Sequence, residues 1–388
     1  MPRCTGTYRQ QTAGGETVRA FIPHPLPPVN PPLVIEGALL DLHVAATIAL
    51  ERLSVATLTV PSQTWFLYGF VRKEAVVSSQ IEGTQATLED VVQFEATQVS
   101  DRIDDVEEIC NYVAALEYAR DELRRPTGLP LSSRLLCRVH ERLMRGVRGA
   151  DRQPGVVRTS QNWIGGTRPG NAAFVPPPPD VVPGALSALD RWIHAPSELP
   201  PLVRAGLAHV QFETIHPFLD GNGRVGRMLV TLLVEHWQLL DNPLLYLSLA
   251  LKRHRDEYYR CLGRVRTEGD WEGWIAFFLD CVKEAADDAV VAARQVFQLL
   301  HSDRAQLATH AKATVSAIRL LDLLPEHPIV SRAMASELLQ VSKPTAIKAI
   351  EVLRDAGILV ERTGRQRDQV YGYQSYLKLL SDDTQLTE

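Results

Sequence analysis

The chain is poor in cysteine. Cys4, Cys110, Cys137, Cys261 and Cys281 are an odd set of five, and no two are close in sequence. No CxxC pair occurs, so neither a zinc ribbon nor a disulfide scaffold is indicated, and buried free thiols in a reducing cytosol are expected. No run of about 18 apolar residues occurs, so no transmembrane helix is expected. The opening stretch, MPRCTGTYRQQTAGG, lacks the apolar centre of a signal peptide, which leads to the expectation of a cytoplasmic protein without membrane contact. Neither sign of charge dominates. Lys plus Arg number 41 and Asp plus Glu 46, a net charge of −5, which argues against a chain built mainly to coat nucleic acid or an acidic membrane. There is no GxxxxGK[ST], so a P-loop is not supported. Internal repeats are absent as well.

What is present is ordinary for a soluble globular protein: 388 residues, 45% hydrophobic and 22% charged, enough for two or three domains with a buried core. Residues 1–33 are rich in Gly, Pro, Gln and Thr. The segment FIPHPLPPVNPP (21–32) excludes regular helix, because proline lacks the amide donor and fixes its own φ; an extended arm on the body is expected. From there apolar residues recur at three- and four-residue spacing. This predicts helices within 33–53, 65–79, 88–96, 106–123, 132–144, 181–193, 203–215, 224–240, 251–265 and 271–300. Asp104 and Ser132 are candidate N-caps. Residues 154–184 break the rhythm with Gly, Pro and Asn, and two short β-like patches, VVR and AAFV, suggest a hairpin or flap. The tail changes character again. A helix over 313–324 and a turn at 325–328 precede helix, tight turn at Val341 and Ser342, helix, Gly357, strand ILVER, polar turn and strand VYGY. That order is a winged helix-turn-helix, with Ala335, Leu338, Leu339, Ile347, Ile350, Leu353 and Ile358 as its expected core. The fold class is therefore mainly α, with one small β insertion.

Chemistry concentrates in His216-Pro-Phe-Leu-Asp-Gly-Asn-Gly-Arg-Val-Gly-Arg227. Gly221 and Gly223 let the backbone bend so that amide groups converge. A helix starting near Arg224 presents its N-terminus, favourable for anions, to the same place. Arg224 and Arg227, three apart, share a helix face and can grip one phosphate chain. Asp220 offers oxygen to a magnesium ion, and His216 is suited to taking a hydroxyl proton near neutral pH. Two other patterns overlap. GNGRVG (221–226) matches the dinucleotide fingerprint, but helix-type sequence precedes it and no parallel strand follows. His209, Glu213 and His216 could suggest a metal trio, but HExxH is lacking.

The stretch resembles the Fic family signature, His-x-Phe-x-Asp/Glu-Gly-Asn-Gly-Arg-x-x-Arg, at every defined position. The resemblance extends over about residues 20–300 and implies a helical bundle with a small β flap. It implies His216 as general base, Phe218 as loop anchor and Asp220 as magnesium ligand. Gly221, Asn222 and Gly223 would form the anion cradle, with Arg224 and Arg227 on the distal phosphates of ATP. The reaction implied moves AMP from ATP to a Ser, Thr or Tyr hydroxyl of a protein, with the chain itself among the candidate targets. Residues 162–180 resemble the flap that holds the target segment by strand addition. Tyr258 and Tyr259 are candidates for the adenine pocket, with core packing the alternative. The domains expected are a Pro-rich arm (1–33), an N-terminal helical region (34–130), the catalytic core (131–300) and the winged helix (311–380).

Ser78-Ser-Gln-Ile-Glu82-Gly83 resembles the inhibitory-helix motif of the same family. Ser78 and Glu82 are one helical turn apart, and Gly83 is a natural helix stop. By resemblance, Glu82 would pair with Arg227 where the γ-phosphate must sit, and Ser78 would help to fix the helix. Alternatives at the same site are AMP removal or transfer from another nucleotide. A different alternative is a DNA-binding regulator with the Fic body as sensor. Lys343, Lys348, Arg362, Arg365 and Arg367 give the tail local positive charge, diluted by Glu351, Asp355, Glu361 and Asp368, so DNA and protein are both open as its partner. A homo-oligomer is compatible with all of these readings.

Overall fold

The computed structural model describes residues 3–58, 63–365, 367–382, 384 and 385. It opens with a β-hairpin where the sequence suggested an unpaired arm. Strands β1 (Gly6–Ala13) and β2 (Glu16–Pro23) pair antiparallel, with Tyr8 opposite Phe21. The physical reason is the placing of the prolines. They crowd the segment from Pro23 onward, whereas GTYRQQTA and ETVRAFI are free of them and can pair fully. Gly14 and Gly15, both at positive φ (54° and 80°), make the two-residue turn that such a hairpin needs.

Helices then dominate: α1 (Ala38–Leu58), α2 (Gln63–Ile81), α3 (Leu88–Thr97), α4 (Ile103–Arg124) and α5 (Ser133–Leu143). After the flap come α6 (Val182–His194), α7 (Pro201–Ile215), α8 (Asn222–His236), α9 (Leu247–Arg253), α10 (Arg255–Glu268) and α11 (Trp271–Thr309). The tail holds α12 (Val315–Leu323), β3 (Ile329–Ser331), α13 (Arg332–Leu339), α14 (Lys343–Asp355), β4 (Val360–Glu361), β5 (Val370–Gly372) and α15 (Gln374–Ser381). Every helix expected from periodicity is present, except that the one expected over 251–265 is divided at His254 between α9 and α10. Asp104 is not a cap but lies in the first turn of α4, where a carboxylate still favours the helix dipole. Ser132 occupies the cap position of α5 without a side-chain capping bond. VVR (156–158) is not a strand. The flap is held by one antiparallel bridge, Ile164 to Phe174, with reciprocal N–H···O bonds of 2.8 and 3.1 Å.

Contacts group the chain into two units, each discontinuous in sequence: Met1–Glu51 with Cys110–Ala286, and Arg52–Ile109 with Asp287–Glu388. This partition differs from consecutive domains because α1, α4 and α11 each run from one unit into the other. In the first unit, α7 is buried from Leu202 to Ile215, its polar Arg204, His209, Gln211, Glu213 and Thr214 included. It packs closely on α8 because position 226 is glycine: a Cβ there would stand 2.2 Å from Glu213 Oε1. Gly206 likewise admits the ring of Phe278, and Trp274 donates its indole N–H to the Gly206 carbonyl at 2.9 Å.

The second unit combines α2, α3, the start of α4 and the end of α11 with the tail. Its sheet has the order β3-β5-β4, antiparallel throughout. Strand β3 falls just after the expected turn at 325–328 and was not marked by the sequence pattern, being only three residues long. Ala335, Leu339, Ile350, Leu353 and Ile358 are buried as expected, whereas Leu338 and Ile347 are half-buried. Helix α15 lies against α2: the Leu380 methyls close on Gly69, and the Tyr376 hydroxyl donates to the carbonyls of Pro325 (3.2 Å) and Trp65 (3.3 Å).

Candidate active site

Helix α7 stops at Ile215 because Pro217 follows two residues later, and a residue before proline, here His216, is disfavoured in the α region. His216 turns instead into the left-handed region (φ 49°) as the C-cap, its N–H donating to the Phe212 carbonyl at 2.9 Å. A non-glycine residue there costs on the order of 1 kcal/mol. Arg158 holds the strained turn in place. Its Nε donates to the His216 carbonyl at 2.8 Å, and a terminal amine donates to Pro177 O at 2.7 Å. Its own backbone N–H donates to Pro217 O at 2.9 Å. The side chain is only 1% exposed, and burial pulls its pKa down to about 10. The guanidinium still carries its charge at neutral pH and braces the backbone of the candidate base.

The loop after His216 closes on itself. Asn222, first residue of α8, accepts from the Phe218 N–H and donates back to the Phe218 carbonyl, both at 2.8 Å. Phe218 is buried and its ring stacks on His140 at 3.9 Å, nearly parallel, as expected of a loop anchor. His140 Nδ1 accepts from the Gly155 N–H at 2.8 Å, so Nε2 carries the proton and donates to the Asp220 carbonyl at 3.0 Å. Burial, aided by the Arg224 charge, lowers the His140 pKa to about 4. The imidazole is a neutral brace for the loop.

Gly221 sits at φ 73° as the N-cap of α8, and the fit is close: an added Cβ would meet Met144 Sδ at 3.0 Å. Gly223, expected to bend, is instead helical, the second residue of α8. The helix starts at Asn222, two residues before the expected Arg224, because the Asn222 side chain satisfies the loop from inside the first turn. Without a side chain at 223, the first-turn amides stay open to an approaching anion. Arg224 and Arg227 follow on one face and are both buried; Arg224 lies 3.8 Å from Asp220 Oδ1 and 3.7 Å from Met144 Sδ. Two guanidiniums held at a helix N-terminus make a pocket whose potential suits a phosphate chain.

Asp220 is exposed at the loop tip, and its Oδ1 accepts from the Gly221 N–H at 2.6 Å. Among the described residues no group of three or more His, Cys, Asp or Glu could cage a metal. A single outward carboxylate beside an anion pocket fits magnesium, which keeps waters and phosphate oxygens as its other ligands. The alternative metal trio is not assembled. His209 is spent on Gly226 O (Nδ1, 2.9 Å) and the Tyr258 hydroxyl (Nε2, 2.8 Å), and burial lowers its pKa to about 4. Tyr258 is thereby a core residue, 1% exposed, while Tyr259 is 41% exposed. The dinucleotide reading fails too, since GNGRVG opens α8 and the element before it is helix α7, not a strand.

The flap is tied to this loop: Asn162 Nδ2 donates to the Phe218 carbonyl at 3.1 Å, and Arg266 lies 4.0 Å over the Phe174 ring. Strand β2 extends the pairing, Phe21 N–H donating to Val175 O at 3.0 Å. His216, Asp220, Gly221, Asn222, Gly223, Arg224 and Arg227 thus come together in the first unit. Ser78, Glu82 and Gly83 belong to the second. Ser78 is buried within α2, and Glu82 is exposed just past the helix end. Gly83, at φ 100°, stops the helix; its N–H still reaches the Gln80 carbonyl at 3.0 Å. His140, Arg158 and Asn162 had no sequence signal, because each acts through a partner far along the chain.

Two family models match: "Fic/DOC family N-terminal" over residues 40–121 and "Fic/DOC family" over 130–234. Among curated proteins, the chain is similar to "Protein adenylyltransferase Fic" of Drosophila melanogaster, 28% identical over 212 residues, covering 53% of this chain and 39% of that protein. The protein of the same name from Culex quinquefasciatus is 29% identical over 187 residues, covering 48% and 34%. The chain thus spans less than half the length of these relatives. Among solved structures, a Fic family protein from Desulfovibrio desulfuricans G20 superposes with TM-score 0.58 at 23% identity, over 88% of this chain and 98% of that one. A Fic domain containing signaling protein from Bacteroides thetaiotaomicron gives 0.53 at 17%, over 65% and 97%. These likenesses show a shared fold.

Proposed function

Because the chain belongs to the Fic/DOC family, we propose that it is a protein adenylyltransferase restrained by Glu82. It moves AMP from ATP to a Ser, Thr or Tyr hydroxyl of a protein. The observation that supports this most is the loop geometry: His216 is held at the end of α7, directly before the α8 N-terminus with its buried Arg224 and Arg227. The target oxygen attacks the α-phosphorus in line, its proton passes to His216, and the bond to the departing pyrophosphate breaks. Arg224, Arg227 and the first amides of α8 hold the phosphates and meet the charge that develops on them. Asp220 would hold Mg2+, which neutralises phosphate charge. The flap would align the target backbone by strand addition. Glu82 would exclude the γ-phosphate from its productive position.

The test uses purified wild type, Glu82→Gly and Glu82→Gly/His216→Ala with Mg2+ and α-labelled ATP. Label on protein should be weak in the wild type, at least tenfold stronger in the single variant and absent in the double. Equal labelling of wild type and Glu82→Gly would remove the inhibitory role. Labelling that survives loss of His216 would remove the assigned base.

A further inference from the structure

The second unit holds a cleft that the transferase reading does not use. It has a volume of about 770 Å³ and lies between the C-terminal end of α3, the starts of α13 and α14, and the β4–β5 turn. Five cationic side chains line it, Arg332, Lys343, Arg362, Arg365 and Arg367, against one carboxylate, Asp368. This concentration of positive charge stands in a chain whose net charge is −5.

The cations are available. Among the described residues, Lys343, Arg365 and Arg367 have no carboxylate partner, and all three are exposed. Arg332 bonds only neutral oxygens, Gln369 Oε1 at 2.5 Å and the Tyr371 hydroxyl at 3.2 Å. Its Nε is buried without a hydrogen-bond partner. Lys343 is the first residue of α14, whose cap residue Ser342 makes no side-chain capping bond, so the helix start adds its own affinity for anions. Arg362 alone is neutralised, by Glu89 of α3.

We propose that this cleft binds the phosphodiester backbone of duplex DNA. Cations spread over a helix start and an exposed turn suit a row of phosphates better than one compact anion. No described lining residue is aromatic, so the stacking platform that single strands require is missing. The Glu89–Arg362 pair is the internal competitor: a phosphate at Arg362 must displace it, which makes α3, the helix that follows the inhibitory motif, a wall of the site.

The test is fluorescence anisotropy of a labelled duplex of about 30 base pairs with the full chain, from 50 to 200 mM salt. Binding should weaken steeply with salt. Arg365→Glu/Arg367→Glu, both exposed and remote from the core, should bind about tenfold or more weakly, with a salt slope smaller by about two. Glu89→Gln should bind a few-fold more tightly. Unchanged melting temperatures would establish that the variants fold. No binding at 50 mM salt, or equal binding by the Arg365/Arg367 variant, would overturn the proposal. So would complete displacement by inorganic triphosphate at matched phosphate concentration, which would mark a small-anion site. Labelling of protein from ATP is a separate readout and does not bear on this result.

Discussion

At the scale of single residues, a contiguous run of chemistry was readable and its supports were not. Residues 216–227 announced themselves because His, Asp, three glycines and two arginines stand within twelve positions. His140 and Arg158 are as necessary to that loop's shape, but they act on carbonyls 80 and 58 residues away. Periodicity carries no information about such pairs. His209 shows the same limit. In sequence it could suggest a metal trio only without the HExxH that such a site needs; in the fold it bridges α8 and Tyr258 as a neutral imidazole. Its lowered pKa makes a claim about stability. The unfolded chain binds a proton near pH 6.5 and the folded one only near 4. The contribution is therefore complete above about pH 6.5 and is lost as the pH falls toward 4. Replacing His209 with Gln should destabilise the protein at pH 7 by about 1–3 kcal/mol through imperfect hydrogen bonding. The variant should also lose less stability between pH 7 and 5 than the wild type does. Urea melts at both pH values measure this; parallel losses in the two proteins would refute a neutral buried His209.

At the scale of elements, the 3.6-residue rhythm located the helices, since their apolar faces are buried against one another. What it missed has local causes. The β1–β2 hairpin was hidden by the proline-rich segment that follows it. The flap is irregular because a single strand bridge and the Arg158 bond to Pro177, not a ladder of strand bonds, hold it. Gly223 is helical because Asn222 closes the loop from within α8. Arg158 therefore joins three pieces of chain: the flap, the end of α7 and the turn at His216. Arg158→Met keeps much of the stem's bulk but leaves buried carbonyls without donors, a cost of about 1–3 kcal/mol for each unsatisfied group. In a Glu82→Gly background, Arg158→Met should lower the rate of protein labelling by about a hundredfold, since misplacing a reacting group by an ångström costs that order. Nucleotide affinity should change far less, because Arg224 and Arg227 lie on α8. A variant that loses ATP binding and rate equally would show Arg158 to be a general structural support, not one that positions the base.

At the scale of the whole molecule, sequence order misleads because the two units interleave. The proposed inhibitory motif precedes the proposed catalytic loop in the chain and looks like part of the same helical region. The structure instead groups α2 with the tail. Helix α15, which was not among the helices expected from the sequence, supplies much of the grip. Leu380 fills the notch at Gly69, Tyr376 reaches the Trp65 carbonyl, and Gln80 donates to the Thr384 carbonyl at 3.0 Å, two residues before Glu82. Under the proposed function, the tail then sets how firmly Glu82 is presented. Ending the chain at Tyr373 removes all three contacts. Amide exchange over residues 63–83 should quicken, and protein labelling should rise toward that of Glu82→Gly, roughly five- to thirtyfold for a coupling of about 1–2 kcal/mol. Tyr376→Phe, which keeps the packing and loses the hydrogen bonds, should move both readouts the same way by less. If exchange quickens but labelling stays at the wild-type level, α15 steadies the helix without governing the enzyme. If neither moves, α2 is held by its own packing and the tail acts only at the basic cleft.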